Sequence, residues 1–513
     1  MKNRNILFIS LLAMGVAGCE PEFENEVTNA SYSAGEADFS RYVAVGNSLT
    51  AGFMDGTVFR SGQMYSFPNL LAQQFALVGG GAFTQPSYAD DVNNLGGLPL
   101  PGFNTRLIID ASAGGPEPIQ GTTSITLTPQ ATAFNNMGVP GAKSFHLLAA
   151  GYGNAAGLSA GLANPYFVRM ATNPNTTVLA DAMSLNPTFF TNWIGANDVL
   201  AYATSGGVGV DQTGNMNPAT YGGNDITDPT VFASVYSTIV NTLTSNGAKG
   251  VVATIPYVTS IPYFTTVPYA PLTAEALGGA ENITALNTQL YGPLKQVLTA
   301  LGQGDRVNML STETPNPVLI KDEALANLQV QLTAAFTPLV GAQTAAFIGA
   351  TYGQARQATS ADLILLTTSS VIGSAPAGVP APFNIFGVTY PLQDQHVLTN
   401  AEKTLANSAT DNFNATIRAI AASKDLAVAD MNAILGALVE GLRLEDGQIY
   451  TANYFSTERL STTLFSLDGI HPNARGYALV ASEVIKVINE HYGAHLPLVS
   501  PAYLPGATVL PSN

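Results

Sequence analysis

The chain has 513 residues, of which 46% are hydrophobic and 11% charged, with 49 glycines, 31 prolines and a formal net charge of −16. Such apolar content with so few charges excludes an intrinsically disordered chain, and the length suffices for one elaborated domain or two to three ordinary ones. The acidic balance argues against a nucleic-acid partner, because displacing counterions from phosphates takes clustered Lys and Arg.

At the start of the chain, Lys2 and Arg4 precede an apolar run over 6–16 that ends at Val16-Ala17-Gly18-Cys19. A basic start, a short apolar core and small residues before a cut read as a secretory signal; the run falls short of the about 20 residues that span a bilayer. Segment 1–18 resembles a bacterial lipoprotein signal peptide, in which the cysteine becomes the acylated first residue of the mature protein. Cys19 is the only cysteine. It cannot close an internal disulfide, which leaves lipidation as its expected use. The resemblance implies export through the inner membrane and an outer-membrane anchor facing the periplasm or the cell surface. Segment 19–38 is acidic and polar, and is expected to be a flexible tether.

From residue 39 to 513, short apolar runs alternate with helical patterns, as in a parallel α/β sheet. Strands are predicted at Tyr42–Gly46, 187–194, 250–255 and 426–430, each ending at or just before Gly, Pro or Asp, where such strands hand over to functional loops. Helices are predicted at 229–246, 273–302, 399–424 and 473–492; the last spaces Ala478, Val480, Val484, Ile485 and Ile488 along one face. Two intervals, about 53–135 and 303–392, exceed the few-residue connections typical of βα units. Neither shows a sustained core pattern, so both are expected to be insertions on a single domain, with a helix at 326–346 in the second.

Serine chemistry on an ester needs a base for the hydroxyl proton, an acid to orient that base, and donors for the oxyanion. The histidines are His146, His396, His471, His491 and His495; His471 alone has an aspartate three residues upstream, in Asp468-Gly469-Ile470-His471-Pro472. One tight loop can then carry both side chains. That segment, with Asn473, Gly476 and Tyr477 beyond it, resembles the last sequence block of the SGNH, or GDSL, hydrolase superfamily. Gly46-Asn47-Ser48-Leu49 resembles the first block, Asn136-Met137-Gly138-Val139-Pro140-Gly141 the second, and Gly195-Ala196-Asn197-Asp198 the third. The four stand in the family's order and span nearly all of the chain after the tether.

The resemblance implies a flavodoxin-like three-layer α/β/α sandwich with a central parallel sheet. It implies Ser48 as nucleophile, His471 as base, Asp468 as its orienting acid, and an oxyanion hole from the N–H groups of Ser48 and Gly141 and the Asn197 amide, with no metal or cofactor. The expected substrates are lipid or small acyl esters, with O-acetyl groups on glycans as the alternative. A non-catalytic surface lipoprotein binding glycan or lipid in the same cleft is the reading from another class. One position departs from the family: Asn47 stands where the first block usually has aspartate, and an amide can keep a local turn's hydrogen bonds.

Competing motifs are weaker. Gly157-Leu158-Ser159-Ala160-Gly161 fits a G-x-S-x-G elbow, which needs a strand before it, yet the preceding residues are small and glycine-interrupted. Gly222-Gly223-Asn224-Asp225 repeats the third block's pattern in a polar loop. Trp193 is expected in the core beside the site, and His146, His491 and His495 as packing or surface residues. No metal cluster, phosphate loop, dinucleotide fingerprint or series of alternating membrane strands is found in the sequence.

Overall fold

The computed structural model describes residues 31–110, 112, 115–444, 447–456 and 459–510. The expected signal peptide, Cys19 and the first part of the tether lie outside these. The tether was expected to reach residue 38, but its described end is docked. Ser33 pairs with His495 through two backbone hydrogen bonds, the Glu36 N–H donates to the Tyr492 carbonyl at 2.8 Å, and Ala37 is buried. Apolar Ala37 and Phe39 draw this stretch onto the domain.

Five parallel strands form the central sheet: β1 (Tyr42–Gly46), β2 (Asn136–Gly138), β3 (Phe189–Trp193), β4 (Lys249–Ala253) and β5 (Ala427–Ala429). Their order is β5-β4-β3-β1-β2, the order of flavodoxin-type doubly wound sheets, with the topological switch between β1 and β3. Gly46, at the end of β1, lies opposite Gly138 on one side and Trp193 on the other. All five residues of both β1 and β3 are buried, as expected of strands covered on both faces.

Helices cover both faces. On one, Val43, Val45, Phe190 and Val252 pack with Phe232 and Tyr236 of the helix Pro229–Leu243 and Phe413 of the helix Asn400–Ser423. The Phe232 and Phe413 rings stack at 4.3 Å. On the other, Tyr42, Ala44, Phe189 and Val251 pack with Phe67, Leu71 and Phe75 of the helix Phe67–Ala76, and with Tyr477, Ile485 and Ile488 of the helix Ala474–Tyr492. Local chemistry sets the boundaries. Asp228 accepts the Thr230 and Val231 N–H groups ahead of a proline at the first helical turn, and Thr399 with Glu402 forms a capping box.

Three expectations change. The interval 53–135 is more than decoration, because it holds the core helix Phe67–Ala76, whose ten residues are masked by Gly- and Pro-rich flanks. The second interval has a core of its own, running from Leu272 to Val397 and including Tyr291, Leu298, Leu332 and Tyr352. Its apolar residues are scattered over short elements, so no period announces them. The helix expected at 326–346 is two helices, Gln329–Val340 and Ala342–Tyr352, broken at Gly341. Arg356 ties this segment together, meeting Asp322 and Asp362 at 2.7 Å each. No helix among the described residues is long and apolar enough to cross a membrane.

Candidate active site

Every strand of the sheet ends on the same edge, so the turns that follow them gather there. Ser48 opens the short helix α1 (Ser48–Ala51) just past β1. Asn47 caps it, its side-chain oxygen accepting the Leu49 N–H at 3.0 Å, so the amide at this position retains the acceptor the turn needs. Standing first in the helix, the Ser48 N–H has no intrahelical carbonyl to meet.

Asp468 and His471 occupy the loop that precedes the helix Ala474–Tyr492, whose cap is Asn473. The Ser466 N–H donates to the His471 carbonyl (2.8 Å), that of Gly469 to Ser466 (3.0 Å), and that of Asn473 to Leu464 (2.8 Å), closing the loop tightly. Gly469 adopts φ +71°, and a Cβ there would press on Leu366 and the Tyr263 backbone. Glycine alone turns the chain in this space without strain.

The loop delivers His471 to Ser48. His471 Nε2 lies 2.9 Å from Ser48 Oγ, and Nδ1 lies 2.9 Å from Asp468 Oδ2. Asp468 Oδ1 accepts from the N–H groups of Ile470 and His471 and from the Ser466 hydroxyl, each at 2.9 Å, and Oδ2 also accepts the Gly56 N–H at 3.2 Å. Burial pushes the Asp468 carboxyl up. The His471 ring and the backbone donors of His471 and Ile470 outweigh that and hold it below the usual carboxylate range. The Phe53 ring covers His471 at 4.5 Å, and both Ser48 and His471 are buried.

The other two expected site residues, Asn197 and Gly141, stand at separate neighbouring turns. Asn197 opens the helix Asn197–Thr204 after β3, and its side-chain N–H donates to the Ala142 carbonyl at 2.9 Å. A primary amide has two such donors, and this contact uses one. Asn197 lines the same cavity as Ser48 and His471. Gly141 is exposed in the turn after β2 at φ +79°, where an added Cβ would be strained by the backbone conformation rather than by crowding. Asp198 fixes that turn from beneath by accepting the Ser144 N–H at 2.8 Å and its hydroxyl at 2.7 Å. Burial raises the Asp198 carboxyl, against the two hydrogen bonds from Ser144 and the charge of Lys143.

The competing residues lie apart from this arrangement. Ser159 is exposed in the 3-10 turn Ala155–Ala160, and Asn224 is exposed in a loop. His146 accepts the Lys143 N–H at 3.0 Å and stacks on Tyr152 at 4.5 Å. Burial, with the Lys143 charge, pushes it down to about 4, as suits a neutral packing residue. Trp193 is buried, lines the cavity and donates its indole N–H to the Thr254 carbonyl at 3.1 Å.

Sequence reasoning missed Asp55. It is buried at φ +51°; its N–H donates to Ser466 Oγ and its Oδ1 accepts the Leu467 N–H, both at 3.0 Å. It therefore grips the loop that carries Asp468. Burial pushes its carboxyl up to about 7; the Asp468 charge adds to this, while the Leu467 hydrogen bond and Arg106 oppose it. A lone aspartate in a Gly-rich stretch gives no signal in sequence, since only folding brings it against residues 466–468.

A hydroxyl hydrogen-bonded to an imidazole whose far nitrogen meets a largely buried carboxylate is set to lose its proton as it attacks an electrophile. No family model, curated protein or solved structure matches the chain. The geometry and the sequence blocks therefore carry the functional reading.

Proposed function

We propose that the protein is a serine-dependent carboxylic ester hydrolase of the SGNH, or GDSL, type, working through an acyl-enzyme. The observation that carries this is the continuous relay from Ser48 Oγ through His471 to Asp468, with both contacts at 2.9 Å. The flavodoxin-type strand order supports it, as does the position of the relay on the carboxyl edge beside the switch between β1 and β3.

In this reading Ser48 Oγ attacks the ester carbonyl carbon while its proton passes to His471 Nε2. Asp468 stabilises the imidazolium. The N–H groups of Ser48 and Gly141 and the second amide N–H of Asn197 receive the oxyanion. Collapse breaks the bond to the alkoxy group, which leaves as an alcohol with the proton from His471. Water then attacks the acyl-serine, giving its proton to the same nitrogen, and the acid departs as Ser48 recovers its hydrogen. Side chains alone supply nucleophile, base and acid. The same proposal has the protein exported and held at the outer membrane through lipidated Cys19.

The test is labelling by a fluorophosphonate, with an adduct expected on Ser48 and none in Ser48→Ala.

A further inference from the structure

The cavity that opens at Ser48 has a volume of about 110 Å³. The polar side chains facing it at the site are those of Asn47, Ser48, Asn197 and His471. Otherwise its described lining is almost wholly hydrocarbon, and no Asp, Glu, Lys or Arg takes part. One wall is the helix Met431–Glu440, which follows β5. Met431, Leu435 and Leu438 recur there at spacings of four and three, a single helical face. Leu200, Val258 and Leu479 lie among the other lining residues.

A sugar ring in such a space would leave hydroxyl groups without partners, whereas methylenes gain by leaving water. The geometry points to an unbranched acyl chain of medium length as the occupant, with its carbonyl at Ser48 and its tail along the helix Met431–Glu440. This assignment rests on the ester hydrolase reading. An apolar cavity of about 150 Å³ takes the six carbons of benzene, so by proportion roughly four to five carbons beyond the carbonyl fill this one. Leu435 and Leu438 then set the chain length, a role that none of the four sequence blocks encodes.

The experiment measures kcat/KM on p-nitrophenyl acetate, butyrate, hexanoate, octanoate and dodecanoate, and on an O-acetylated oligosaccharide. Wild type, Leu435→Trp and Leu438→Ala are compared. Wild type should gain about fourfold per methylene as far as hexanoate and then level off. Filling the cavity with Leu435→Trp should move the optimum to shorter chains, and enlarging it with Leu438→Ala to longer ones. A variant that is only destabilised loses activity on every ester alike, so opposite shifts of the optimum are not a folding effect. Faster turnover of acetate or of the acetylated oligosaccharide than of hexanoate overturns the acyl assignment while the hydrolase reading stands. So do variants that keep the wild-type profile. No turnover of any ester, together with no fluorophosphonate adduct on Ser48, overturns the hydrolase reading itself.

Discussion

Around the parallel sheet, turns far apart in sequence converge on one cavity. Ser48 arrives after β1, Asn197 after β3, Val258 after β4 and Met431 after β5, with His471 from the loop ahead of the last helix. The segment Leu272–Val397 is built differently, with its own core and the charged cluster of Arg356, Asp322 and Asp362. Its Leu366 lies beside Gly469 of the loop that carries His471, and Tyr263, just ahead of the segment, donates its N–H to the Gly469 carbonyl at 2.9 Å. The sheet edge thus keeps reactive groups at hydrogen-bond distance from one another, while the inserted segment uses its charges to hold itself together. A change in one region should spare what the other does.

The largest expected effect that separates the two lies in the insertion. Arg356→Met leaves Asp322 and Asp362 without their cation in a mostly buried setting, which should cost about 3–5 kcal/mol of stability by denaturant titration. The folded fraction should keep the wild-type kcat. A fall in kcat for folded protein would join the two regions and break the comparison.

Asn197→Ala probes the opposite side. Loss of one oxyanion donor should lower kcat by about 10²–10³, with thermal unfolding changed far less than by the Arg356 substitution. If kcat holds while stability falls, the amide serves the Ala142 turn and nothing more.

The smallest effect concerns Asp55 and Asp468, neighbouring carboxylates with opposite shifts. The carboxyl of Asp55 is raised to about 7. Its protonated form favours the fold, so its contribution is fully present below the unfolded value near ~3.9 and is lost as pH rises through about 7. That of Asp468 is lowered, so its contribution is present above the unfolded value and lost as pH falls through the folded one. Asp55→Asn should therefore gain about 2.5 kcal/mol on wild type between pH 5 and pH 8, measured by urea unfolding at each pH. A constant difference across that range would contradict the assignment.

The candidate site was more legible in sequence than the architecture around it. Ser48, Asp468 and His471 lie in short contiguous stretches, each fixed by local rules: a strand ending in glycine, a cap, and a left-handed turn at Gly469. Strands β1, β3, β4 and β5 announced themselves as apolar runs between turn residues. Strand β2 is three residues long and was visible only as part of a motif. The helix Phe67–Ala76 was hidden by its flanks. The core around Tyr291 and Tyr352 depends on contacts between short elements distant in sequence, which no local pattern records. Asp55 and the wall formed by Leu435 and Leu438 were illegible for the same reason.

The most direct measurement of the central claim is mass spectrometry of the full chain after exposure to a fluorophosphonate, with peptide mapping of the adduct. One adduct on Ser48, absent from Ser48→Ala and strongly slowed in His471→Ala, is the predicted result. No adduct on a folded protein, or an adduct on Ser159 instead, would contradict it.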